Sequence, residues 1–270
     1  MITRRACLQL VALVMALIPG RSPAQDTAPV VSESQIPEWR LALSADTLAK
    51  VGNVVVVDST DRHNLLGQVR LAEVAGVSTA STSWAVGSLI EGLNELTPLE
   101  VRAARRVTYS SRDLLRSPWI FLAVERYQFT GSDLRSLGRY MTGGGFVLAD
   151  GGVDIGGEAD VFARTLIEKS LATAGKRAKF RRLRADHPIY HSYFDFDHPP
   201  LPPKPGGRRL DYLIGVRVDG RLLAVISYQG LQHVLGGNSQ TDVTRHLQFG
   251  INTIIFALTQ EGGLTKRVER

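Results

Sequence analysis

Residues 140–157, YMTGGGFVLADGGVDIGG, constrain the fold more than any other stretch. Three glycines stop a helix, an apolar strand over 146–149 follows, and Asp150 leaves that strand into a second glycine cluster. An apolar run without alternation predicts a strand covered on both faces. In open α/β sheets the carboxyl ends of such strands are where ligands collect. Asp150 is therefore the first candidate site residue, and Gly151 and Gly152 would let a ligand approach the backbone closely.

Before this stretch, NVVVVD over 53–58 predicts a strand, and Leu65, Leu66, Val69 and Leu71 suggest a helix after it. Trp84, Leu89, Ile90, Leu93 and Leu96 predict a second helix, 105–110 a short edge strand, and PWIFLAV a fully covered one. Ser132-Asp133 starts a helix that Gly143 ends, and 158–174 carries apolar residues at helical spacing up to Gly175. Further on, Asp219-Gly220 predicts a β-hairpin between 212–218 and 221–227. A last helix over 241–259 stops at Gly262-Gly263, with Lys266-Arg267 beginning a charged tail. Alternating strands and helices argue for a parallel, doubly wound sheet. Helices on opposite faces of 146–149 are then expected, if the winding reverses there.

The chain has 270 residues, of which 44% are hydrophobic, enough for one sizeable core. Arg4-Arg5, an apolar run over 6–18 and small residues at 22–24 form a signal-peptide pattern over 1–24, with a twin-arginine variant possible. Export to the periplasm is the expectation. The single cysteine, Cys7, lies in that segment, which removes disulfides, thiolate nucleophiles and cysteine ligands from the remainder. Loss of 1–24 leaves 29 basic against 26 acidic residues, too balanced to demand an acidic partner. Residues 25–37 read as a linker and 38–265 as the α/β domain, with no transmembrane helix in the mature chain.

Asp150 has two readings: a cap on the following turn through its own carboxylate, or a base, metal ligand or hydroxyl binder. Glu125, Asp154, Glu158 and Asp160 are acidic neighbours in sequence or fold. DHPIYHSYFDFDH (186–198) gathers Asp186, His187, Tyr190 and His191. The four-residue spacing of its first two histidines could suit a metal, but Pro188 favours an extended His187. Aromatic packing with hydrogen-bonded histidines is the plainer reading, so neither a metal nor a cofactor is assigned. KRAKFRRLR over 176–184 would suggest nucleic acid in a cytosolic protein. In an exported chain it suggests an anionic envelope polymer or a membrane headgroup, or, more plainly, a solvated strand with one apolar face, and no nucleic-acid partner is expected. The proline-rich 196–210 is an extended connector or a flap. Neither a dinucleotide fingerprint, a phosphate loop nor a GxSxG elbow occurs.

Taken together, PWIFLAV, DLRSLGRYM running into GGGFVLADGG, DHPIYHSYFDF, IGVRVDGRLLAVIS and LQFGINTIIFALT resemble the bacterial domain of unknown function 4159 family, over about 53–259. The resemblance implies a class I glutamine amidotransferase-like or ThuA-like fold. That is a flavodoxin-like three-layer sandwich with a mostly parallel central sheet, here carrying a β-hairpin near the C-terminus. It implies no established activity. Asp150 stands where the amidotransferase nucleophile would be, and the histidine–glutamate pair of those enzymes has no match. His187-Pro188 echoes a histidine-proline of the ThuA-like group, while Glu125-Arg126-Tyr127 departs from the Gly-His-like turn of relatives.

Two functions follow as expectations. The first is a non-catalytic or weakly catalytic envelope module, binding a polar small molecule, a carbohydrate-like ligand or an envelope protein through Asp150, Gly151, Gly152, Glu125, Asp186, His187, Tyr190 and His191. The second is a hydrolase or lyase on a carbohydrate-like substrate, with Asp150 as base and His187 or His191 as acid, metal-assisted or not. Both expect the 186–196 loop to fold over the carboxyl edge beside Asp150.

Overall fold

The computed structural model describes residues 53–58, 60–74, 80–103, 106–123, 128–200, 210–237 and 243–269. The expected signal segment and linker, the helix that Trp39, Leu41, Leu43 and Leu48 suggest over 38–50, Glu125, and 201–209 of the proline-rich stretch lie outside the described residues. The architecture is mixed α/β, with two sheets rather than the single mostly parallel one expected.

The smaller sheet has the order β3-β2-β1-β9, formed by β1 (Val54–Val57), β2 (Leu65–Leu71), β3 (Leu99–Ala103) and β9 (Lys266–Glu269). Two expectations fail here. Residues 65–71 form a strand, because Leu65, Val69 and Leu71 are buried on one face at period two while Arg70 is exposed. The charged tail is an edge strand running parallel to β1. At 105–110, where an edge strand was expected, the described residues hold only an isolated bridge between Val107 and Val74.

The larger sheet has the order β4-β5-β8-β7-β6: β4 (Trp119–Ala123), β5 (Phe146–Asp150), β6 (Lys179–Arg182), β7 (Ile214–Val218) and β8 (Arg221–Ser227). β4, β5 and β8 run parallel, whereas β7 is antiparallel to both its neighbours, so this sheet too is mixed. The β7–β8 hairpin turns at Asp219 (φ 51°) and Gly220 (φ 86°), the left-handed pair that a two-residue turn demands. β6 is the solvated strand expected, with Phe180 half-buried among exposed basic residues.

As expected, β5 is an interior strand, and all five of its residues are buried. Its two faces belong to different cores. Val147 and Ala149 pack with α2 (Gly131–Thr142) and α3 (Glu158–Thr173), and Phe146 and Leu148 pack with α1 (Ala80–Leu96) and α5 (Val243–Thr259). The helices before and after β5 thus share one face, contrary to expectation. The reason is topological: β4-to-β5 and β5-to-β6 both step in the same direction across the sheet. Right-handed crossovers taken in one direction put both helices on one side. α1 and α5 come from the two ends of the domain and cover the other face. They also pack against the smaller sheet.

Two local devices hold α2. Thr130 and Asp133 form a reciprocal capping box two residues earlier than the expected start, a motif whose loss costs about 1 kcal/mol. Gly138 lets α2 lie directly on α3, since a Cβ there would stand 2.2 Å from the Ser170 carbonyl oxygen.

Candidate functional site

Asp150 has the same parity as Phe146 and Leu148, so its side chain turns toward the α1 side of the sheet. There β8, hydrogen-bonded to β5 with Ser227 opposite Asp150, leaves the same edge and leads into α4 (Leu231–Leu235). Gly230, at φ 61°, makes that turn possible and brings Gln232 and His233 to the strand end. A cleft of about 230 Å³ results, lined by Ser81, Asp150, Gly152, Ala159, Gly230, Gln232 and His233.

Asp150 is only 5% exposed. One carboxylate oxygen accepts the Gly152 N–H at 3.0 Å, the turn cap foreseen as one of its two readings. Its other oxygen accepts the Gln232 N–H at 2.8 Å and so ties β5 to the start of α4. Burial disfavours the charged form and raises the pKa from 3.8 to about 6; the two N–H donors and the nearby His233 oppose that rise. Each oxygen retains a lone pair, so the group can still accept from a ligand.

The two glycines have different duties. Gly152, at φ 74°, lines the cleft. Gly151 is required by packing: a Cβ there would lie 2.7 Å from Ile226 Cγ2 and 3.0 Å from Tyr228 Cε1. Behind the cleft Asp160 is buried, accepting the Tyr228 hydroxyl at 2.7 Å and Arg164 Nε at 2.7 Å. Those contacts fix the first turn of α3.

The 186–196 loop is not among the described contacts of Asp150. It packs along α5 instead, where Asn252 binds it on both sides. The Asn252 Oδ1 accepts the N–H groups of Tyr193 (3.2 Å) and Phe194 (2.8 Å), and its Nδ2 donates to the carbonyls of Tyr190 (3.0 Å) and Phe194 (2.7 Å). Tyr190 is buried, stacks near Phe249, and its hydroxyl accepts the Leu213 N–H at 2.9 Å. The His187 ring lies 5.5 Å from that of Phe256, which in turn meets Phe146 at 5.7 Å. Phe146 begins β5 and Asp150 ends it, a separation of about 13 Å along an extended strand.

Both histidines are already engaged. Arg217 Nη2 lies 2.7 Å from His187 Nε2, and the Ile189 N–H lies 3.2 Å from Nδ1. A neutral imidazole accepts at one nitrogen only. The charged Arg217 donor holds Nε2, and the Ile189 contact is then steric. Burial and then the Arg217 charge lower the His187 pKa to about 4. His191 is held by Asp195 at 2.9 Å and the Ala185 carbonyl at 2.9 Å. Asp186 is exposed and paired with Arg184 at 3.1 Å. Among the described residues, no group of three or more His, Cys, Asp or Glu side chains gathers as a metal shell would.

His233, Gln232 and Ser81 escaped the sequence reading. A signal did exist, because any residue shortly after β8 must lie beside the end of β5 once the two strands pair. That pairing joins residues 77 positions apart, such as Asp150 and Ser227, and no local pattern announces it.

Fold and cleft together define the class: a two-sheet, mixed α/β domain with a small polar cleft at the carboxyl ends of its parallel strands. The chain belongs to the family described as Domain of unknown function (DUF4159), whose profile matches residues 68–258. Comparison with curated proteins gives no match.

Proposed function

We propose that this chain is an exported envelope module that binds a polar, carbohydrate-like ligand in the Asp150 cleft and does not turn it over. The observation that carries the reading is the buried Asp150 carboxylate, held by two backbone N–H groups at the floor of a cleft with His233 and Ser81 on its walls. A mixed set of acceptors and donors in about 230 Å³ suits a hydroxyl-rich group the size of one sugar ring. On this reading 1–24 is the periplasmic signal, 25–37 a tether, and 38–265 the binding domain. The parallel β4–β5–β8 core is then the part shared with the amidotransferase-like and ThuA-like fold, with Asp150 in place of the nucleophile. Among the described residues no helix is long and apolar enough to cross a membrane.

A hydrolase or lyase is the second reading, favoured by the buried Asp150 carboxyl lining the cleft, where burial pushes its pKa up to about 6, a value suited to proton transfer near neutral pH. His187 and His191 are held elsewhere, so His233 would be its partner. Isothermal titration with neutral mono- and disaccharides, run on the mature chain and on Asp150→Asn, tests both. Binding without turnover, weakened in Asp150→Asn, is expected. Ordinary-rate cleavage of glycosides, amides or esters that Asp150→Asn abolishes would replace the module with the enzyme.

A further inference from the structure

We propose that a second cleft, on the outer face of the smaller sheet, binds a phosphate-type oxyanion through Arg70, Arg102 and Arg116. The cleft measures about 440 Å³, with Ala103 and Val107 as apolar wall and Ser117 and Asp113 completing the rim.

Its charge is built in by register. Arg70 on β2 and Arg102 on β3 are direct partners in a parallel ladder, so both side chains leave the same face. Like charges placed opposite one another across strands destabilise a sheet. Several arginines of this protein are neutralised, among them Arg106 by Glu73, Arg164 by Asp160 and Arg182 by Asp211. Arg70 and Arg102 have no acidic partner among the described residues. Glu100 faces the same side, where its Oε2 accepts from Gln68 Nε2 at 2.9 Å, and it does not line the cleft. Asp113, the one carboxylate lining the cleft, lies 3.1 Å from Arg116. The lining of the cleft therefore carries three guanidinium groups and one carboxylate.

The scaffold beneath is fixed. Asn53, nearly buried, accepts the Arg70 N–H at 2.8 Å with Oδ1 and donates from Nδ2 to the Arg116 carbonyl at 2.5 Å, so one side chain sets the spacing of two arginines. Ser117 Oγ accepts the Ala72 N–H at 2.9 Å and donates to the Trp119 carbonyl at 2.6 Å, pinning the floor. Planar guanidinium forks that line one cleft suit the geometry of phosphate oxygens.

A soluble phosphate or phosphate ester and a phospholipid headgroup present the same chemistry, so the experiment has two arms. In the first, thermal melting and titration calorimetry follow wild type, Arg70→Gln, Arg102→Gln and Arg116→Gln as inorganic phosphate replaces chloride at constant ionic strength. In the second, the same proteins are sedimented with phosphatidylglycerol–phosphatidylcholine vesicles. The site predicts binding by wild type in at least one arm, and at least about tenfold weaker binding by each variant. Without phosphate, Arg70→Gln and Arg102→Gln melt no lower than wild type, because the cross-strand repulsion is gone. Phosphate binding alone assigns a soluble ligand, and vesicle binding with or without it assigns the headgroup. Wild type indifferent in both arms, or folded variants that bind like wild type, would overturn the proposal.

Discussion

Replacing Asp150 by Asn isolates the energetic cost of keeping a carboxylate beneath the cleft. The folded-state pKa of about 6 lies above the ordinary 3.8, so between these values the folded chain holds a proton that the unfolded chain has released. Stability from this group is fully present below pH 3.8 and is lost as pH rises through 6. At about 1.36 kcal/mol per pH decade, the whole step comes to about 3 kcal/mol. The side chain is only 5% exposed, so solvent screening takes little from that figure. Asn cannot lose a proton, and it presents one acceptor where Gly152 and Gln232 supply two donors. That mismatch costs about 1–3 kcal/mol, the same at every pH, and it cancels when two pH values are compared. Urea unfolding of both proteins at pH 3.5 and pH 7.5 gives the comparison. The stability of Asp150→Asn relative to wild type should rise by about 3 kcal/mol over that interval. A change below about 1 kcal/mol, or one of opposite sign, would mean that Asp150 is solvated or ion-paired, and the burial argument would be wrong.

Three further outcomes follow from the packing. Gly138→Ala drives a methyl group into the Ser170 carbonyl and should cost about 2 kcal/mol or more in a denaturant midpoint; a neutral result would deny the close α2–α3 contact. Asn252→Leu removes four hydrogen bonds to the 186–196 loop, so the Tyr193 and Phe194 amides should exchange with deuterium far faster than in wild type, while β5 keeps its protection. His187 should resist protonation until about pH 4 in a histidine NMR titration, and the stability it contributes is present above its ordinary pKa and lost as pH falls through 4; a midpoint near 6.5 would contradict its burial and the Arg217 contact.

How far the sequence reached depends on whether the deciding physics is local. WIFLA (119–123) and FVLAD announced their double coverage because a strand buried on both faces cannot alternate. Asp219-Gly220 announced its turn because few residue pairs tolerate two positive φ angles. Residues 65–71 were misread because Leu65, Leu66 and Val69 satisfy a helical spacing as well as a strand's, and only the smaller sheet decides between them. The common face of α2 and α3 was missed because the placement of β6 at the far edge is set by long-range pairing. Asp150 was legible from the strand it ends. His187 and His191 drew attention by composition, yet that composition serves the packing of a loop on Phe249 and Phe256.

Amide chemical shifts of the wild-type domain, followed while neutral disaccharides are titrated in, test the central claim most directly. Shifts confined to Gly152, Ala159, Gln232 and His233, and absent in Asp150→Asn, are the result this account predicts. Shifts centred on Tyr190, His191 and Phe194, with the Asp150 cleft silent, would contradict it.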